Sequence, residues 1–404
     1  MKFENAREEL YDYIEKHTLV NTHCHHYQDS FFQDFSLEKL LRNTYLAPKW
    51  SDLDFGESRD SREIFIKRAK FKSYFVWLKK ALKEIYHMDE FLNVDNWDEY
   101  DCKIQETYRN NPEQHINLLK KKCNYGKVIL DAYWDPGSDN GHGELFAPNF
   151  RIDYFVNAFS PELEDHNGNT VEKIYGQHFE DLDEYVDFVR KCIRQKLKTC
   201  CALKSTLAYD SYGIDFDIFA SRETAGKALC KGKDASAEEA AAFRGYMFRV
   251  FCEEAENAGK PFQIHTGLGS LYRTNAMQML HIVQAFPRVK FSVFHASYPW
   301  REDVAGMLHN CGNVYADLCW LPLISSEAAV HVLREYCQVA TSDKLCWGCD
   351  TITGEESYGA VLAMRDSFSR GLAGLVETGY LSIGEAKELA DYILEENPDE
   401  LYGF

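Results

Sequence analysis

Eight short apolar runs, each followed by a stretch of helical character, constrain this chain more than any other feature. They fall at 18–23 (TLVNTH), 127–132 (KVILDA), 152–159 (IDYFVNAF), 199–204 (TCCALK), 261–265 (PFQIH), 289–295 (VKFSVFH), 313–317 (NVYAD) and 344–350 (KLCWGCD). Most are near-continuous rather than alternating, the pattern of parallel strands covered on both faces. Between them lie helical patterns. Residues 181–197 place Leu182, Tyr185, Val186, Val189 and Ile193 on one stripe. Residues 236–259 open on a Ser236-x-x-Glu239 capping box and end at a glycine, 326–340 follow, and 384–396 come after a Ser382-x-x-Glu385 box. Strand and helix alternating eight times predict an α/β chain folded as a (β/α)8 barrel, one domain over 1–404.

One connection is out of proportion. About 100 residues separate the first two runs, and loops of that length without structure are uncommon. Helical spacing at 71–86, 97–105 and 111–122 predicts instead a helical insertion, residues 30–125, over the C-terminal mouth of the barrel.

Composition excludes several classes. The 404 residues are 45% hydrophobic and 14% aromatic, enough for a large core and against disorder. A net charge of -19 repels a phosphate backbone, so nucleic acid is not expected as a partner. No run approaches the ~18 apolar residues of a membrane span, and the first twenty residues lack an export signal's apolar centre. A cytoplasmic protein with its thirteen cysteines reduced is the expectation. A small-molecule substrate and a homo-oligomer are the expected partners.

In such a barrel the active site gathers at the C-terminal ends of the strands. The first run ends in His23-Cys24-His25, the fourth in Lys204, the fifth in His265, the sixth in His295 and the eighth in Asp350. Alternate residues on a strand face the same way, so His23 and His25 can bind one ion while His26 points elsewhere. Imidazoles with carboxylates suit Zn2+ first and Mn2+ as the alternative, as one ion or two. A hydrolytic metal lowers the pKa of a bound water to ~7, and Asp350 can accept that water's proton and deliver it to a leaving group. Singly, each residue has a plain structural reading; five of eight strand ends in order do not. Near the same ends lie pocket candidates: Asp131, Trp134 and Asp135, Tyr209 and Tyr212, Arg273, then Tyr298, Trp300 and Arg301. Arginines there can grip a carboxylate in two-pronged fashion or pair with the chain's surplus acids. The Cys346–Cys349 pair has no partner pair at zinc-ribbon spacing.

The segments NTHCH (21–25), FQIHTG (262–267), FHASYP (294–299) and WGCD (347–350), with the closing NPDELYG (397–403), resemble the amidohydrolase superfamily, in particular its amidohydrolase 2 group of TIM-barrel metal-dependent hydrolases. That group includes domains fused to glutamine synthetase-like proteins. The likeness is strongest over 195–404. The N-terminal part is similar in layout to uronate isomerases, which carry a helical insertion in the same place. The resemblance implies that His23 and His25 bind the more buried metal with Asp350 as ligand and general base, and that His265 and His295 bind a second metal or the substrate. It implies that Lys204 is a carbamylated bridging lysine. Asn21 stands where many members have an acidic residue. The expected activity is hydrolysis of a C–N or ester-like bond in a small polar substrate, with Asp350 and His295 as the catalytic pair. Trp134, Tyr209, Arg273, Tyr298 and Arg301 are expected to line the pocket. Uronate isomerisation or metal-dependent decarboxylation is the alternative, and a non-enzymatic binding protein the remaining one.

Overall fold

A computed structural model describes residues 3–46 and 55–404. Its strands are all parallel to their neighbours and follow one another in sequence order. The first is Leu19–Cys24 and the second Tyr125–Leu130. The third is broken into Phe146–Pro148 and Phe150–Arg151. Then come Leu203–Ser205, Phe262–Ile264, Phe291–Phe294, Val314–Asp317 and the short eighth, Leu345–Cys346. Backbone bonds from Thr22 N to Trp347 O (3.3 Å), Asp350 N to His23 O (2.9 Å) and His25 N to Thr351 O (2.8 Å) join the eighth segment to the first and close the ring. The expected barrel is therefore what forms.

The third strand corrects the sequence reading, which put it at 152–159. Asp153–Asn157 is a 3-10 turn with all five residues buried, so its apolar character reflects tertiary burial rather than a strand. The true strand ends its first piece on Pro148 and is interrupted at Asn149, residue types depleted inside strands. Asn149 still donates its N–H to Leu130 O at 3.0 Å, and Phe150 N then bonds Ala202 O at 2.9 Å, so the break marks a change of ladder partner.

The expected helices form with their caps. Asp181 accepts from the N–H groups of Asp183 and Glu184 and starts Leu182–Lys196, which buries the predicted stripe. Both Ser-x-x-Glu boxes close, at Ala237–Ala258 and Ile383–Asp391, and the first of these helices ends on Gly259 at φ 61°. The barrel floor is polar. Gln263 Nε2 donates to Thr22 O at 3.1 Å and to Tyr402 Oη at 3.0 Å, and Asn149 Nδ2 donates to Gln263 Oε1 at 2.9 Å. Every one of these groups is buried, so the C-terminal Tyr402 plugs the end opposite the site.

Of the insertion expected at 30–125, residues 47–54 lie outside the described residues. The rest contains helices Leu37–Arg42, Arg59–Ala69, Ser73–Ile85, Trp97–Asn110 and Gln114–Asn117. Ser73–Ile85 packs on the long buried helix Gly354–Glu377 that follows the eighth strand. The N-terminal helix Phe3–Glu15 packs on the same helix. Among the described residues no helix is long and apolar enough to cross a membrane. All thirteen cysteines are free.

Candidate metal centre

His23 lies in the first strand and His25 just beyond it, so their rings project together, centroids 4.6 Å apart. The backbone bond from Asp350 N to His23 O sets Asp350 beside them. Asp350 Oδ1 lies 3.4 Å from His23 Nε2 and 3.2 Å from His25 Nε2, while its Oδ2 lies 3.8 Å from His295 Nε2. Asp350 is 4% exposed and the histidines no more than 6%, yet Asp350 Oδ1 has no hydrogen-bond partner. Such a group is costly to bury unless something charged faces it.

The outward ring nitrogens fix the inward ones. His25 Nδ1 lies 2.8 Å from Asp131 O and His295 Nδ1 3.0 Å from Cys319 O. A carbonyl oxygen only accepts, so each Nδ1 carries the proton and each Nε2 turns a lone pair toward Asp350. His265 is reversed: Nε2 donates to Leu268 O, leaving the lone pair of Nδ1 3.0 Å from His295 Nε2. Two lone pairs then face each other beside a carboxylate. Imidazole lone pairs and a carboxylate aimed at one small space suit a divalent cation. Among the described residues, the ligand atoms of His23, His25 and Asp350 lie within 4.8 Å of one another, as do those of His295, Cys319 and Asp350.

Electrostatics agree with ligation. Burial, reinforced by the Lys204 charge, pushes His23 down to about 3. Burial pushes His295 to about 4 and holds His265 well below its ordinary value. These rings are neutral at pH 7. Burial would raise Asp350, but the neighbouring His23 and His25 imidazoles outweigh it and hold the carboxyl well below the usual range. Asp131 behaves likewise: burial is outweighed by Arg151, whose guanidinium grips it through two nitrogens, and by His25.

Lys204 is fully buried, its Nζ 3.5 Å from the Phe294 ring centre and without a hydrogen-bond partner, and burial lowers it to about 8. Tyr209 stacks on His166 and lies 4.6 Å from the His265 ring. Trp134 packs on Tyr27 and Tyr133; it is Tyr133 whose ring stands 5.6 Å from His25. Arg273 pairs with Asp215 and, with Tyr212, Arg244 and His281, lines a separate cavity of about 450 Å³. Arg301 opens helix Arg301–Asn310, 3.7 Å from Glu302, and half-buried Tyr298 sits in the turn before it. His26 is turned away as expected, its Nε2 2.9 Å from His115 Nδ1 and its ring stacked on His115 and Phe32.

Sequence reasoning missed Tyr45, Cys319 and Trp320. Tyr45, from the insertion, lies 6.3 Å from the His25 ring and 5.4 Å from Trp320, whose ring is 5.7 Å from His295. Cys319 and Trp320 follow the seventh strand directly, so the strand-end rule that found the others could have found them.

Residues 229–404 match the family model described as amidohydrolase. Protein fluG of Emericella nidulans is 31% identical over 149 residues, 35% of this chain; the matched stretch spans only 17% of that protein. Among solved structures, uronate isomerase from Thermotoga maritima superposes with a TM-score of 0.73 at 15% identity, covering 98% of this chain and 97% of that one. A protein from Lactobacillus casei assigned as a metal-dependent hydrolase superposes at 0.69 with 14% identity, over 98% and 97%. At such identities the likeness concerns the fold alone. Residues 229–404 thus carry an amidohydrolase family match, on a barrel that sets His23, His25, His295 and Asp350 at its mouth.

Proposed function

We propose that this chain is a cytoplasmic metal-dependent hydrolase that cleaves a C–N or ester-like bond in a small polar substrate. The carrying observation is the convergence of His23, His25 and His295 on a buried Asp350 with an unpartnered oxygen. A divalent cation, Zn2+ first and Mn2+ as the alternative, supplies Lewis acidity when held by His23, His25 and Asp350. Lys204, His265 and His295 complete the proposed ligand set. The chain's own groups do the rest. Asp350 is ionised and takes the proton of the attacking water as its oxygen bonds the carbonyl carbon, then returns it to the leaving nitrogen or oxygen. The Asp131 carbonyl fixes the His25 ring, and the buried Asp131–Arg151 pair fixes that carbonyl's loop. Tyr45, Tyr133, Tyr209 and Trp320 give the substrate aromatic walls.

The test is metal content of the purified protein and of a His23→Ala/His25→Ala variant, followed by turnover on amide and ester panels. Unchanged metal in the variant would sink the site. A second reading, isomerisation of an open-chain sugar acid, draws on the full-length likeness to a uronate isomerase. Ketose formation from glucuronate or galacturonate, without hydrolysis on the panels, selects it.

A further inference from the structure

Cys319 has no part in the reading above. It is wholly buried two residues beyond the seventh strand. Its backbone is pinned on both sides: its N–H donates to Asp317 Oδ1 at 2.9 Å, and its carbonyl accepts from His295 Nδ1 at 3.0 Å. Its thiol has no hydrogen-bond partner among the described residues. The contrast is Cys349, whose Sγ accepts from Asn21 Nδ2 at 2.9 Å and lies 3.0 Å from Thr351 Oγ1. Cys349 is a structural thiol; Cys319 is held in place with its sulfur left over.

What the sulfur faces gives it a use. One ligand atom each from His295, Cys319 and Asp350 lies within 4.8 Å of the others, and Asp350 belongs equally to the His23–His25 group. The two oxygens of Asp350 divide the work, Oδ1 toward His23 and His25 and Oδ2 toward His295. A carboxylate between two donor clusters is the geometry of a bridge. The buried Asp350 Oδ1, which lacks any hydrogen-bond partner, faces the His23–His25 side of that bridge, and the unpartnered Cys319 sulfur belongs to the His295 side.

We propose that His295, Cys319 and Asp350 form a second cation position, joined through Asp350 to the one at His23 and His25, with the Cys319 sulfur as ligand. It rests on the preceding reading through the shared Asp350 and His295, and adds the Cys319 sulfur. On binding, the Cys319 S–H bond breaks, its proton leaves to solvent, and the sulfur electron pair goes to the cation. A thiolate selects Zn2+, Co2+ or Cd2+ over Mg2+ and Mn2+.

The test uses cobalt as probe. Metal-free protein titrated with Co2+ is expected to take up two equivalents, one bringing the near-ultraviolet sulfur-to-cobalt absorption. Cys319→Ser is expected to lose that absorption and one equivalent, and Cys349→Ser to lose neither. A wild type without the absorption, or a Cys319→Ser protein that keeps it, overturns the proposal. Should Cys319→Ser not fold, X-ray absorption on the zinc-loaded wild type decides, because a sulfur ligand requires scattering at ~2.3 Å. The His23→Ala/His25→Ala variant separates the two readings. It is expected to keep the sulfur absorption and lose the other equivalent; if it keeps both equivalents, the first position is wrong and the sulfur position stands.

Discussion

Asp350 and His295 both hold left-handed backbone conformations, φ 52° and 63°, and Ala296 and Ser297 continue the run at 48° and 52°. Non-glycine residues there cost of order 1–3 kcal/mol each and persist where the surroundings impose them. Here the imposition is visible: Asp350 N is tied to His23 O, and His295 Nδ1 to Cys319 O. The strain aims the side chains, so Asp350→Asn tests charge without disturbing shape. That variant is expected to fold, to lose bound cation and to lose turnover by ~10²–10⁴-fold; metal analysis and kcat check it. Arg151 makes a different kind of prediction. Its loss strands the buried Asp131 charge that helps hold His25, so Arg151→Met is expected to cost about 3–5 kcal/mol in denaturant unfolding. Asp131→Asn/Arg151→Met should recover part of it. Residue types with intrinsic ligand chemistry, such as His23 or Asp350, were legible in the sequence because strand ends order them. Arg151 was not, because it ends a strand that the Pro148-Asn149 break hides. Tyr45 was not, because only folding brings the insertion to His25.

At the level of elements, the helices were the legible part and the insertion's docking was the hidden part. Periodicity and caps announce a helix locally, whereas docking depends on pairs hundreds of residues apart. Two adjacent carboxylates at the start of helix Gly354–Glu377 receive the insertion's tyrosines. Tyr86 and Tyr108 donate to Glu355 Oε1 at 2.6 and 2.9 Å, and Tyr74 donates to Glu356. Glu356 also closes the cap with Thr353. Burial raises Glu356 from 4.5 to about 7 and outweighs these hydrogen bonds. A carboxyl whose folded pKa is raised contributes stability below its unfolded value and loses it as pH rises through the folded one. Glu356→Gln, which keeps an accepting oxygen but cannot ionise, is therefore expected to match wild type near pH 4.5. It should be the more stable by pH 8, by on the order of 3 kcal/mol. Denaturant unfolding of both proteins across pH 4.5–8 reads the difference, and parallel curves would remove the carboxyl from the account.

For the whole molecule, the floor sealed by Tyr402 and the hydrogen-bonded ring of strands leave the charged mouth as the place where solution conditions act on the fold. His23, His265 and His295 are buried neutral, with His23 at about 3 and His295 at about 4. Groups whose folded pKa is depressed below the unfolded 6.5 contribute stability that is present above 6.5 and lost as pH falls toward the folded values. The cation-free protein is thus expected to weaken between about pH 6.5 and 4. Protonating the same rings expels a bound cation, which competes for the same lone pairs. A cation that binds only the folded chain stabilises it by about 2.7 kcal/mol at a hundredfold excess over its Kd. So Zn2+ added after chelation is expected to raise Tm at pH 7.5, and the increment should shrink steadily below pH 6.5 and vanish near pH 4. Thermal unfolding with and without Zn2+ at several pH values measures it. His23→Ala/His25→Ala should lose most of the increment at pH 7.5. An increment that stays constant down to pH 4 would mean that the stabilising cation sits on carboxylates elsewhere and not on these imidazoles.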